Sequence, residues 1–214
     1  MEESTGTILY EKNSDEAHYP ASITKIMTTL LALENGNLSD MVTFSDDAIN
    51  NTEGSGIARD YGEQMTLEQC LYGVMLESAN ECAYAVAEHV GGTVENFVDM
   101  MNAKAISLGM FNTHFVNPNG LPAKGQFTTA RDMMLLARAY LHSHLEMLVY
   151  HNTHYLRHGQ TLTWNKNPLL GNFEGADGLK TGWVNKSGYN IIATAERDGH
   201  RILAVVLGTP DPLT

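Results

Sequence analysis

The segment from Pro20 to Gly36 constrains the fold more than any other part of the chain. Ile23, Ile26, Met27, Leu30, Leu31, Ala32 and Leu33 cover most of a helix's circumference, and a helix that is apolar nearly all round has to lie inside other elements rather than on them. Gly36, after Asn35, reads as the left-handed residue that stops it. Residues three apart share a helix face, so Ser22 and Lys25 stand side by side at its start. A hydroxyl beside an amine is the pairing by which a Ser becomes a nucleophile, and a rigid buried helix is a good mount for it. Taken alone the pair is weak, because Ser three before Lys arises by chance about once in a chain of this length. Its bland alternative is an exposed helix start with Lys in solvent.

The surrounding chain supplies what such a helix needs. Thr66 and Gln69 form a capping box that opens a helix with Leu67, Leu71, Val74 and Met75 inward. That helix breaks at Glu77-Ser78-Ala79-Asn80; a second runs from Cys82 to Gly91-Gly92, and a third carries Phe97, Met101, Ala105 and Leu108 to Gly109. Asn117-Pro118-Asn119-Gly120 is a turn, and Thr129 with Asp132 caps a further helix through Leu135, Leu136 and Tyr140. Residues 40–62 read as a polar, Gly-containing excursion of the kind that borders a site. Strand patterns stand at both ends: Gly6–Tyr10, a hairpin around Gly159, and the runs Tyr189–Ala195 and Ile202–Leu207 joined by Asp198-Gly199. The expected fold is α+β, one antiparallel sheet built from the chain's two ends with a helical lobe inserted. It reads as one domain over 1–214, with sheet from about 1–20 and 150–214 and helices from about 21–149.

The charge balance removes several function classes. With 13 Lys+Arg against 25 Asp+Glu the net charge is -12, and no basic run is interleaved with aromatics, so nucleic acid is not an expected partner. No apolar segment reaches the ~20 residues needed to span a bilayer, no membrane anchor is visible, and Met1-Glu2-Glu3-Ser4 lacks the features of a signal peptide. Cys70 and Cys82 have no CxxC spacing and read by default as two buried thiols, with a disulfide between them an open but unsupported alternative. His151, His154 and His158 run into a hairpin on which alternating side chains do not converge. They read as surface residues, and neither a metal nor another cofactor is expected.

Two more short motifs stand beside Ser22-x-x-Lys25. Ser78-x-Asn80 lies at a helix junction, where a cap would be the bland reading. Lys180-Thr181-Gly182 is more specific, since a fixed tripeptide occurs by chance in about one chain in twenty of this size. In this order the three form the set found in penicillin-binding proteins and class A β-lactamases. The wording around them, Pro20-Ala-Ser-Ile-Thr-Lys-Ile-Met-Thr28, Thr129-Ala-Arg-Asp-Met133, Asp177-Gly-Leu-Lys-Thr-Gly-Trp183 and Val205-Val-Leu-Gly208, resembles the serine-type D-alanyl-D-alanine carboxypeptidases, the low-molecular-mass penicillin-binding proteins, over nearly the whole chain.

That resemblance implies a DD-peptidase/β-lactamase-like fold and an extracytoplasmic enzyme that trims peptidoglycan stem peptides ending in D-Ala-D-Ala and is acylated by β-lactam antibiotics. Ser22 would be the nucleophile and Lys25 its base, with Lys25 made less basic by burial and by Lys180. Ser78 would pass a proton to the leaving amine, while Asn80 would bind a substrate amide and hold Lys25. Lys180 and Thr181 would bind the terminal carboxylate, Gly182 would leave room for substrate, and the N–H groups of Ser22 and Trp183 would form the oxyanion hole. Relatives would carry an additional strand and helix before Glu2 and a helix after Gly208, so the chain reads as truncated at both ends. A β-lactamase would need a Glu near His114-Phe115-Val116-Asn117, where none occurs. A D,D-endopeptidase of cross-links shares the chemistry, and a non-catalytic peptidoglycan-binding module is disfavoured by the intact Ser22, Lys25, Ser78 and Lys180.

Overall fold

A computed structural model describes residues 1–50, 52–158 and 161–211. A 3₁₀ turn, Ala21–Thr24, leads directly into α1 (Lys25–Asn35). Every residue of α1 from Lys25 to Ala32 is buried. It is surrounded by α3 (Leu67–Leu76), α4 (Asn80–Gly91), α5 (Val94–Ser107) and α6 (Ala130–Ser143). The all-round apolar pattern therefore becomes a central helix, each large side chain of which contributes about 1.5–3 kcal/mol by leaving water. Both expected caps are present: Thr66 and Gln69 bond reciprocally at the start of α3, and the Thr129 hydroxyl accepts from the Asp132 N–H at the start of α6.

Sequence and structure part at several points. Gly36 is extended (φ -121°, ψ 171°) rather than left-handed, and a Cβ there would stand 2.8 Å from Leu67 Cδ2, so space and not dihedral freedom selects glycine. The 40–62 excursion contains α2 (Asp46–Asn50) and β1 (Met41–Thr43), which pairs with β2 (Gln64–Thr66). Three-residue strands are too short to display an alternating pattern. The strand expected over Gly6–Tyr10 does not form. Met1 and Glu3 hold the edge of β7 instead, through Leu203 N–H to Met1 O and Glu3 N–H to Arg201 O, both 2.9 Å, and Ile8, Leu9 and Tyr10 beyond the turn are exposed.

The sheet that matters for the site has the order β5-β6-β7 (Ala176–Val184, Gly188–Arg197, His200–Thr209), antiparallel throughout. Ile192, Thr194 and Leu203 lie buried within it, and among the described residues β5 is an edge strand whose one strand neighbour is β6. A separate hairpin, β3 (Tyr155–His158) and β4 (Thr161–Trp164), follows α7 (Leu148–Asn152); its turn at Gly159 lies outside the described residues. His151 falls on α7, not on the hairpin, and is fully buried. This corrects its reading as a surface residue, and the cause is that one helical turn rotates it inward. His154 is exposed, and the side chain of His158 lies outside the described residues. Cys70 and Cys82 are free and buried.

The 117–120 turn abuts the 3₁₀ turn so closely that a Cβ on Gly120 would lie 1.9 Å from Ala21 O, at φ +87°. Gly120→Ala combines overpacking with a left-handed alanine and is expected to cost roughly 2–5 kcal/mol. Thermal unfolding should show a melting temperature lower by roughly 4–20 °C. An unchanged melting temperature would contradict the close approach.

Candidate active site

The three motifs meet where the 3₁₀ turn, the α3–α4 junction and β5 come together. Lys25, the first residue of α1, is completely buried, and its Nζ is hydrogen-bonded to Ser22 Oγ at 3.0 Å, Asn80 Oδ1 at 2.7 Å and Asn119 O at 2.7 Å. An ammonium would donate to all three. A neutral amine has two N–H donors and one lone pair, which suits donation to the two carbonyl-type acceptors and acceptance of the Ser22 O–H. Burial favours that neutral form: desolvation first, then the nearby charges of Lys180 and Lys166, hold the Lys25 pKa well below that of an ordinary lysine.

Backbone geometry at the site is unusual in two places. Ala21 (φ +50°) immediately precedes Ser22, and Ser78 (φ +65°) is the turn between α3 and α4. Neither is glycine, and a left-handed L-residue costs about 1–2 kcal/mol. Ser78 Oγ is buried and has no hydrogen-bond partner among the described residues. Asn80 opens α4; its Nδ2 donates to Glu53 O and its N–H donates to Ser55 O, so the loop at 53–55 walls the site.

On β5, Lys180 is 2% exposed and its Nζ donates to Thr181 O at 3.1 Å. Burial, followed by the positive Lys166, lowers its pKa to about 7. Gly182 faces the Ser22 turn, and a Cβ there would stand 2.8 Å from Ser22 N. Any side chain would push β5 off the Ser22 turn. Thr181 is half-buried, and Trp183, 51% exposed, has its ring centroid 6.1 Å from that of Tyr189.

Sequence reasoning passed over three contributors and misplaced a fourth. Asn119 acts through its backbone carbonyl, which carries no sequence signal. Lys166 Nζ bonds Glu77 Oε1 at 2.6 Å, Glu77 O at 2.9 Å and Ser55 Oγ at 2.9 Å, tying the 53–55 loop to the residue before Ser78. Asn190 Nδ2 donates to Tyr19 O and Pro20 O, both at 3.0 Å, clamping β6 to the chain before Ser22. A polar residue within an otherwise apolar strand run was the available clue for Asn190. His151, the fourth, bonds the β5 backbone. Among the described residues no group of three or more His, Cys, Asp or Glu side chains could hold a metal ion.

Comparison with known proteins gives a consistent result. Residues 1–211 match the family described as D-alanyl-D-alanine carboxypeptidase. The chain is 39% identical over 222 residues to the D-alanyl-D-alanine carboxypeptidase DacF of Bacillus subtilis (strain 168), covering 99% of this chain and 57% of the relative. It is 37% identical over 219 residues to DacC of Escherichia coli (strain K12), covering 97% and 55%. The chain thus spans about half the length of these relatives. The crystal structure of the D-alanyl-D-alanine carboxypeptidase DacD from Francisella tularensis superposes with a TM-score of 0.94 at 32% identity, over 100% of this chain and 65% of that one. Penicillin-binding protein D2 from Listeria monocytogenes, in its ampicillin-bound form, gives 0.84 at 28% identity, over 98% and 87%.

The depressed lysine pKa values make stability depend on pH in a defined direction. Between about pH 7 and the ordinary lysine value near 10.4, the unfolded chain holds a proton on Lys180 that the folded protein has released. The unfolded state binds more protons there, so stability rises with pH across that window, by at most about 1.4 kcal/mol per pH unit per group. Below about pH 7 this contribution is flat. Lys180→Met should remove much of the rise, measured as urea unfolding at a series of pH values from 7 to 10. An identical pH dependence in the variant would place the Lys180 pKa elsewhere.

Proposed function

The chain belongs to the D-alanyl-D-alanine carboxypeptidase family, and on that premise we propose that it is a serine-type enzyme removing the terminal D-alanine from peptidoglycan stem peptides, and that β-lactams acylate it. The observation that carries this reading is the buried Lys25 Nζ, 3.0 Å from Ser22 Oγ and held by Asn80 and Asn119. As Ser22 Oγ attacks the carbonyl between the two D-alanines, neutral Lys25 takes the hydroxyl proton and becomes an ammonium with three acceptors. The tetrahedral oxyanion is received by the N–H groups of Ser22 and Trp183, a reading supported by how near Gly182, the residue before Trp183, lies to the Ser22 turn.

Collapse of the intermediate expels D-alanine, whose amine takes a proton through Ser78. Among the described residues the Ser78 hydroxyl has no hydrogen-bond partner, which supports this role. Water then attacks the acyl-enzyme with Lys25 again as base. Lys180 and Thr181 bind the free carboxylate, and binding that anion raises the Lys180 pKa back toward its charged form. Asn80 holds Lys25 with its carbonyl oxygen. A β-lactam enters the same path as an acylating agent and leaves more slowly than from a class A β-lactamase, whose water-activating Glu has no counterpart in the 114–117 segment. The substrate lies in the cell wall, which places the enzyme outside the cytoplasmic membrane. Among the described residues no helix is long and apolar enough to cross a membrane.

Mass spectrometry after incubation with penicillin tests the nucleophile: one adduct, mapped to Ser22 and lost in Ser22→Ala, is expected, and an adduct persisting in the variant overturns the assignment. Lys25→Ala should acylate about 100- to 10,000-fold more slowly. A second measurement tests the carboxylate. Matched peptides ending in D-Ala-D-Ala as free acid or amide should differ about 10- to 150-fold in kcat/KM, the equivalent of a charge-assisted hydrogen bond. Thr181→Val should shrink that preference. Equal rates on acid and amide would point to an endopeptidase instead.

A further inference from the structure

His151 sits where the substrate's path along β5 ends. On β5 the register pairs Leu179 with Ala193, Lys180 with Ile192 and Gly182 with Asn190, and the carbonyl of Leu179 accepts a hydrogen bond from outside the sheet, from His151 Nδ1 at 2.9 Å. Backbone direction alternates along a strand, so Leu179, Thr181 and Trp183 present their N–H and C=O groups on the free edge. Such an edge takes up an extended peptide as an added strand. The proposed mechanism puts the scissile carbonyl at the Trp183 N–H and the terminal carboxylate at Lys180 and Thr181. A bound peptide therefore runs toward Leu179 with its C-terminus, antiparallel to β5.

At that point the edge is already occupied. Leu179 O can only accept, so Nδ1 of His151 carries the proton, and Nε2 accepts from the Tyr140 hydroxyl at 2.8 Å. The Tyr140 ring meets the imidazole edge-on with centroids 5.3 Å apart, fixing its plane. Burial, with Lys180 nearby, keeps the ring neutral, its pKa lowered to about 4. One residue earlier, a Cβ on Gly178 would stand 3.3 Å from His151 Cβ and 3.4 Å from Leu148 Cδ2, so α7 covers the strand through Leu179.

We propose that His151 is a specificity-determining residue that closes the free edge of β5 at Leu179, so that a peptide continuing past the leaving D-alanine finds neither a backbone partner nor space. This rests on the carboxypeptidase reading and deepens it. Release of a single terminal residue then follows from the shape of the edge as well as from the carboxylate charge, and His151 acts without touching the reacting atoms.

The test compares cleavage of the D-Ala–D-Ala bond in two N-acylated peptides, one ending in D-Ala-D-Ala and one extended by a C-terminal glycine. The readout is the ratio of their kcat/KM values, which a general loss of folding or of acylation leaves unchanged. Wild type should disfavour the extended peptide by about 100-fold or more, and His151→Ala should narrow this at least tenfold, since each factor of ten is about 1.4 kcal/mol. His151→Asn, whose amide nitrogen replaces Nδ1 as donor to Leu179 O, should keep the wild-type ratio. If His151→Ala does not fold, Tyr140→Phe, which frees the ring to turn, should narrow the ratio in the same direction. A wild type that cleaves both peptides equally, or a penicillin-reactive His151→Ala or Tyr140→Phe with the wild-type ratio, overturns the proposal and leaves the carboxypeptidase reading standing. Failure of the wild type to release D-alanine from the unextended peptide overturns that reading instead.

Discussion

A lysine amine removed from water and given three hydrogen-bond partners is the constraint on which the rest of this structure depends. Charged, the Lys25 nitrogen is expensive to bury; neutral, it needs two acceptors and a donor. Ser22, Asn80 and Asn119 supply these from three separate stretches of chain. Each stretch is pinned independently, Asn80 by the 53–55 loop and Asn119 by the packing of Gly120 against Ala21. The helical core exists, in functional terms, to keep that amine dry.

The second organising feature is the unequal treatment of the two sides of β5. Toward β6 it is held by an antiparallel register, while on its other side the carbonyl of Thr181 accepts from Lys180 Nζ and that of Leu179 from His151. Open backbone groups invite unwanted strand addition. Confining the unpaired stretch to the residues beside Ser22 limits that liability. Gly182 lets β5 lie against Ser22, where any Cβ would force the two apart.

Local strain gathers at the same place. Ala21 and Ser78 both adopt left-handed backbone conformations, and Ser78 Oγ is buried without a partner among the described residues. Strained residues and unsatisfied buried groups persist only where neighbouring contacts over-determine them. Here those neighbours are Asn190, which clamps Tyr19 and Pro20, and Lys166, which clamps Glu77. Preorganisation at Ser22 and Ser78 is thus maintained by residues outside the three motifs.

What the sequence determined by itself was whatever depends on neighbours along the chain. The spacing of Ser22 and Lys25, the caps at Thr66 and Thr129, the break at Ser78, the Asp198-Gly199 hairpin and the all-round apolar helix are set within a few residues, so periodicity and side-chain chemistry suffice to read them. Only the tertiary structure decided that the carbonyl of Asn119 completes the lysine site and that Asn190 fixes the turn before Ser22. Only there, too, does His151 turn inward to cap β5, while Gly6–Tyr10 forms no strand because the first three residues take the β7 edge. Each of these rests on a hydrogen bond between groups far apart in sequence, several of them backbone carbonyls that every residue carries alike. Such a bond leaves no mark on the residues that make it until the chain has closed around them.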